Sequence, residues 1–329
     1  MAVVIAPLLA ALAAPLLAAL IQVKGTPLAG GSVLGRGSVP LERAAGGDTP
    51  VLSLRSAHGS LRLLLDTGAS STMVTPALVA RLGLGSRAMD AGAFELAGGG
   101  SACAQLQPRR TLLPPLQLVA SPHERANAGV QLVGVEALVL PVGALPPGTD
   151  GVLGAPSLRR LPLLVDPKLG RVSFGAAALS AAQAPAVGSP KPSRPRSPLR
   201  LPLRWRGGVP LLRLVVPGGT VWALADTGAE GLFLSPDLAG QLNPQGAPQP
   251  LRLVGFCGEQ PVMRQRFTGL ALQGGPAGAG GVEMGIEGII TENAVFRQLG
   301  VEAIVGQELL RPYRQLWRLD LAPPQLELQ

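Results

Sequence analysis

The amino-acid sequence predicts a mainly β protein with a few short helices, built as two pseudo-symmetric lobes. Two observations carry that expectation. The first is punctuation: 44 glycines and 33 prolines cut the chain into short apolar runs, which favours strands and turns over long helices. The second is an internal repeat. Displaced by 160 residues, Pro50–Leu82 overlies Pro210–Leu242 without a gap, and 12 of the 33 positions are identical. The 329 residues are 47% hydrophobic, enough for a sizeable core, but only 3% aromatic, so Leu, Val and Ala must fill it.

Residues 1–38 read as an N-terminal segment and lead-in. Val3–Ile21 is a nearly unbroken apolar run, long enough to approach a membrane span. It has the look of a secretory signal core with an A-x-A at Ala11–Ala13, although no Lys or Arg precedes it and Pro15 lies just beyond. A single N-terminal anchor and an apolar packing helix are the other readings. Signal and anchor both place the body outside the cytoplasm, and the anchor adds membrane association through residues 3–21.

Residues 39–179 form the first lobe and 200–329 the second. In each copy an alternating strand (VLSLR, LLRLV) leads through a Gly-containing turn into a second apolar strand, which ends in Asp-Thr-Gly-Ala. A short apolar stretch follows, TMV or LFL. Thr75-Pro76 and Ser235-Pro236 then each offer an N-cap hydroxyl and a proline at the first helical position. Gly83 and Asn243 suit the helix stops. Both copies close alike: Val152-Leu153-Gly154 or Ile304-Val305-Gly306, a short helical segment, a strand ending in Asp166 or Asp320, a turn and a final strand. Between the lobes, residues 180–199 are proline- and serine-rich without apolar periodicity and read as an exposed linker.

The net charge is +8, but the only dense basic tract, Lys191–Arg206, overlaps that linker and reads as solvated chain, not as a nucleic-acid surface. Cys103 and Cys257 form no C-x-x-C, and His58 and His123 stand apart, so no metal site is expected. Neither G-x-S-x-G nor a P-loop occurs. What remains is the pair of loops, LLLDTGAS from Leu63 and WALADTGAE from Trp222. An aspartate ending a buried strand is costly to desolvate; at both ends of a repeat, it calls for a shared purpose.

Two Asp-Thr-Gly-Ala loops in register, each with a downstream apolar-apolar-Gly element, resemble the aspartic protease superfamily. The resemblance runs from about Val39 to the C-terminus and implies a single-chain, retropepsin-like pseudo-dimer with pepsin-like lobes and the active site between them. It implies an endopeptidase acting on peptide or protein substrates as a monomer, with no cofactor and an acidic optimum. Asp66 and Asp226 take the catalytic positions. Two carboxylates a few Å apart cannot both ionise easily, so the pair presents an acid and a base together. Thr67 and Thr227 match threonines that hydrogen-bond across the loops; Gly68, Ala69, Gly228 and Ala229 support them, and Gly154 and Gly306 pack behind the catalytic strands. Ser70 and Glu230, next in sequence, are candidate substrate contacts, with an acid kept in the second lobe alone. The candidate flaps are Ala97–Gln105, with Gly99 and Gly100, and Val254–Gln260, with Gly255 and Phe256; the sole tyrosine, Tyr313, lies elsewhere. Cys103 and Cys257 fall at equivalent flap positions, either as unrelated small apolar residues or as a flap-to-flap disulfide. The competing functional readings are a non-catalytic peptide-binding module on the same fold and a membrane-anchored envelope protein.

Overall fold

The computed structural model describes residues 20–90, 94–99, 103, 106–120, 127–141, 145–184, 198–274 and 285–329. They form a mainly β, two-lobed molecule. The first lobe is a ten-stranded sheet that curls until Leu116–Val119 pairs with both Pro50–Ser56 and Asn127–Val139. The second is a nine-stranded sheet with the long hairpin Asn243–Gly255 and Gly258–Thr268 at one edge. A six-stranded sheet takes three strands from each lobe and joins them through the antiparallel pair Leu163–Asp166 and Gln315–Arg318.

The repeat becomes a repeated strand crossing. In the first lobe Gly59–Asp66 runs parallel to Gly151–Gly154, with Asp66 opposite Gly154; that strand is antiparallel to Thr72–Val74. In the second, Gly219–Ala225 runs parallel to Ala303–Val305, which is antiparallel to Leu232–Leu234. The chain thus returns to insert a later strand between the strands that enter and leave the Asp-Thr-Gly loop, so the loop straddles that strand. Parallel neighbours are buried on both faces, which explains the unbroken apolar runs LLL and AIV. Leu63, Leu64 and Leu65 are fully buried.

The expected caps form. Thr75 Oγ1 accepts from Leu78 N at 3.2 Å to start helix Pro76–Arg81, and Ser235 Oγ accepts from Leu238 N at 3.1 Å to start helix Pro236–Ala239. Gly83 follows the first helix at φ +63°. Asn243 does not end the second. That helix closes at Gly240, and Asn243 opens the long hairpin strand, where it pairs with Thr268. Asp320 sits two residues beyond its strand, in the turn.

Two segments differ from the sequence-based division. Within the expected lead-in, Leu20–Lys24 is a strand paired with Glu95–Gly98, and Gly30–Gly35 is a strand on the first-lobe sheet. The apolar run therefore ends in β-structure at Leu20 and Ile21; its preceding part, 1–19, lies outside the described residues, as does most of the linker, 185–197. Helix Ala176–Gln183 crosses the expected boundary at 179/180. Among the described residues no helix is long and apolar enough to cross a membrane.

The lobes are locked at their base by a buried ion pair. Arg314 Nε donates to Asp166 Oδ2 at 2.7 Å, and the same guanidinium donates to the carbonyls of Ala181 and Ala184 at the end of helix Ala176–Gln183. Asp166 Oδ1 meanwhile accepts from Lys168 N and Leu169 N in its own turn. Removing one partner strands the other charge in the dry base. Arg314→Met is therefore expected to cost about 3–5 kcal/mol in urea unfolding. Asp166→Asn/Arg314→Met, which keeps the turn acceptor, is expected to recover part of that loss. A single change within about 0.5 kcal/mol of the parent protein contradicts the assignment.

Candidate active site

The two Asp-Thr-Gly-Ala loops meet between the lobes. Thr67 N–H donates to Thr227 Oγ1 and Thr227 N–H to Thr67 Oγ1, both at 3.0 Å; each hydroxyl then donates across to the opposite strand, Thr67 to Ala225 O and Thr227 to Leu65 O, both at 2.7 Å. Four crossed bonds between fully buried groups fix one loop against the other. The glycines set how closely they approach: a Cβ on Gly68 would overlap the carboxyl of Asp226, and one on Gly228 the carboxyl of Asp66. Each glycine thus faces the other loop's aspartate, and the two carboxyl groups stand side by side.

Behind them, the peptide N–H of Ala155 donates to Ala69 O and that of Gln307 to Ala229 O. Gly154 and Gly306 pack so tightly on the loop backbones, at Ser71 and Ala69 and at Ala229 and Gly231, that a side chain has no room. Sequence reasoning missed Gln307. Its buried amide donates to Thr227 O at 2.8 Å and braces the second loop; the only sequence signal is a polar residue directly after the Gly306 element.

Asp66 and Asp226 are each 1% exposed. Burial first, then the charge of Asp226 and the hydrogen bond between the two groups, holds the Asp66 carboxyl well above the usual range; the N–H groups of Gly68 and Ala69 oppose this. Burial also pushes Asp226 up, to about 6, while the hydrogen bond from Asp66 and the amides of Gly228, Ala229 and Gly68 pull it down. Gly228 N–H donates to Asp226 Oδ1 at 2.8 Å. No N–H or hydroxyl among the described residues donates to Asp66 Oδ1 or Asp226 Oδ2. A proton shared by the carboxyls is the arrangement that satisfies them. Among the described residues no three metal-ligating side chains converge.

The flap candidates meet each other, and Phe256 and Cys257 share a buried cluster with Ala69 of the first loop. Cys103 and Cys257 form a disulfide with Cα atoms 4.7 Å apart, and Cys257 N–H donates to Gly99 O at 2.8 Å. Gly255 lies directly against the backbone of Gly99, and Phe256, at the hairpin tip, is buried. Gly100 lies outside the described residues.

Ser70 and Glu230 have different fates. Glu230, expected to face substrate, does not: its carboxylate accepts from Asp48 N at 2.7 Å, Thr49 N at 2.8 Å and Thr49 Oγ1, all first-lobe groups. Gly47 lies so close that a Cβ there would overlap the carboxylate. The extra methylene lets the acid reach the facing lobe, where it serves as an interlobe clasp with Asp48–Arg311 beside it at 2.8 Å. Ser70 is too short for the equivalent reach. Its N–H donates to Leu20 O at 3.1 Å and its Oγ accepts from Gln22 N at 2.6 Å.

A family model described as aspartyl protease matches residues 57–156, within the first lobe. A search of curated proteins gave no match. Solved structures similar to this chain include basic 7S globulin from soybean, at 13% identity and a TM-score of 0.46, covering 90% of this chain and 95% of that one. Conglutin gamma, a basic 7S globulin from lupine seeds, is similar at 11% identity and a TM-score of 0.48 over the same shares. Residues 57–156 thus match the aspartyl protease family, and the second lobe brings the same Asp-Thr-Gly-Ala loop through the same strand crossing.

Proposed function

We propose that the protein is an aspartic endopeptidase that hydrolyses peptide bonds with a water activated between Asp66 and Asp226. The observation that carries this reading is the buried carboxyl pair, held by crossed threonine bonds and raised by a shared desolvation. A peptide-binding module on the same fold needs neither carboxyl, and burying two without a use is costly.

The direction of the two shifts supports assigning the acid to Asp66 and the base to Asp226. A water hydrogen-bonded to both attacks the peptide carbonyl carbon. Asp226 takes a proton from the water as Asp66 gives its proton to the carbonyl oxygen, leaving a neutral tetrahedral diol. Asp226 then passes its proton to the amide nitrogen, the C–N bond breaks, and Asp66 recovers a proton from the diol as the carboxylic acid product forms. The pair ends as it began, and its titration belongs to both groups together.

Asp66→Asn and Asp226→Asn are each expected to lower kcat by about 10³-fold or more while leaving the fold intact, as read by peptide cleavage and thermal unfolding. Full activity in either variant eliminates the mechanism. The competent state carries one proton on the pair. Activity is therefore expected to rise through about pH 6, where Asp226 ionises, and to fall again at higher pH where Asp66 follows. That window lies above the acidic optimum the sequence implied; a maximum near pH 4 that is lost by pH 6 contradicts the raised titration of Asp226.

The same shift fixes a stability trend. The folded-state value of Asp226 lies above its ordinary value of 3.8, so the folded form favours the protonated group. That contribution is complete below the ordinary value and is lost as pH rises through about 6. Asp226→Asn is expected to raise stability relative to the parent at pH 8, by roughly 2–3 kcal/mol, and to give little gain at pH 4. A gain confined to low pH refutes the sign.

A further inference from the structure

The strand Leu20–Lys24 has an unusual position. The six-stranded base already takes the first lobe's entering strand, Gly37–Pro40. Among the described residues Leu20–Lys24 instead pairs with one strand, the flap strand Glu95–Gly98, in the register Leu20↔Gly98, Ile21↔Ala97 and Gln22↔Leu96. Its other backbone edge turns to the active-site loop, where Ser70 N–H donates to Leu20 O and Gln22 N–H donates to Ser70 Oγ. One extended segment is thus held on both edges, by the flap on one side and by the residue that follows Asp66-Thr-Gly-Ala on the other.

Its side chains divide between the lobes. Leu20 packs in the cluster of Ala69, Met73 and the flap-tip Phe256, while Ile21 packs in that of Ala97, Ala229 and Phe233. They are 3% and 1% exposed. Gln22 is fixed by polar contacts, accepting from Ser71 Oγ through Oε1 and donating through Nε2 to Lys24 O and Thr26 O. This is how an added strand is recognised in general: main-chain bonds give affinity, and alternate pockets give specificity. The pseudo-symmetric counterpart strengthens the point. Glu230 spends its carboxylate on Asp48 and Thr49 of the fold itself, whereas Ser70 gives its N–H and Oγ to a segment outside both lobe repeats.

We propose that the cleft takes extended peptides with two adjacent bulky aliphatic residues followed by an amide-bearing one, and that Leu20–Lys24 is the chain's own resident copy of such a peptide. The proposal rests on the reading of the cleft as a peptide site and adds its occupant and its preference. While the strand is seated, peptides in solution compete with a covalently tethered copy at high effective concentration. The disulfide of Cys103 and Cys257 ties the two flaps together above it.

The test uses the full chain with a site-specific protease sequence inserted between Gly25 and Pro27, in an Asp226→Asn background that prevents turnover. The probe is a fluorescent synthetic peptide of residues 18–26, AALIQVKGT, with a control in which the Leu-Ile pair is Asp-Asp. After cutting, the probe is expected to bind at least tenfold more tightly by fluorescence anisotropy, and the control not to bind. Equal binding before and after cutting, in protein that still melts cooperatively, overturns the proposal, as does equal binding of the control. Uncut Ile21→Asp provides a second route that leaves the chain covalent; it too is expected to gain at least tenfold in probe binding, and no gain in a folded variant counts against the proposal. With both aspartates restored, binding of the probe without hydrolysis upholds the occupant and defeats the proteolytic reading. Hydrolysis of peptides at a rate indifferent to cutting does the reverse.

Discussion

Two carboxyl groups share one dry site between the lobes, and neither titrates independently of the other. Most of the architecture near them follows from that constraint. To bring identical aspartates together, the chain needs two copies of one loop facing each other. To keep them close, it needs a residue without a side chain after each threonine, since a Cβ on Gly68 or Gly228 would occupy the opposite carboxyl. To stop like-charge repulsion from opening the gap, it needs attachments independent of protonation. The crossed Thr67 and Thr227 bonds supply these, donor and acceptor being a hydroxyl, a peptide N–H or a carbonyl in every case.

The rest of the fold passes this constraint outward. The strands entering and leaving each loop both pair with one inserted strand, the first in parallel and the second antiparallel, so the loop cannot rotate without breaking two ladders. Gln307 and the peptide N–H groups of Ala155 and Gln307 hold the loop carbonyls. The six-stranded base and the buried Arg314–Asp166 pair then fix one lobe on the other far from the chemistry. The pair at the base is neutralised and the pair at the centre is not: Asp166 meets a guanidinium, Asp66 meets only another acid.

What the sequence made legible was whatever repeats or has a fixed local geometry. The displaced identity of Asp-Thr-Gly-Ala named the two loops, and the Thr-Pro and Ser-Pro steps marked two helix starts. Matched positions in the two flap candidates brought Cys103 and Cys257 together as one of two readings, and the structure forms that bond. Illegible was whatever depends on reach between distant segments. Glu230 looked like an acid aimed at substrate because its neighbours in sequence are catalytic-loop residues, yet its partners, Asp48 and Thr49, lie about 180 residues away. Asn243 looked like a helix stop because asparagine tolerates the left-handed turn, but the hairpin register claimed it. Leu20 and Ile21 were absorbed into an apolar run; only the alternation Ile21-Gln22-Val23-Lys24 carries a strand signal, and four residues do not outweigh nineteen.

The repeat is most informative where it breaks. Gly208 lies beside Ser70 in the place Gly47 takes beside Glu230, but it meets only the Cβ and backbone of the serine, where Gly47 meets a carboxylate. The shorter residue leaves that contact to backbone packing and frees its Oγ and N–H for an extended segment. A perfect two-fold would offer the same edge on both sides and hold a peptide in either direction. The two sides are therefore unlike: Glu230 is clasped to Asp48 and Thr49 of the fold on one, and on the other Ser70 and Ser71 hold Leu20 and Gln22 beside the flap strand. The repeat places the carboxyl pair, and the difference of one residue after each loop decides what each side of the pair is attached to.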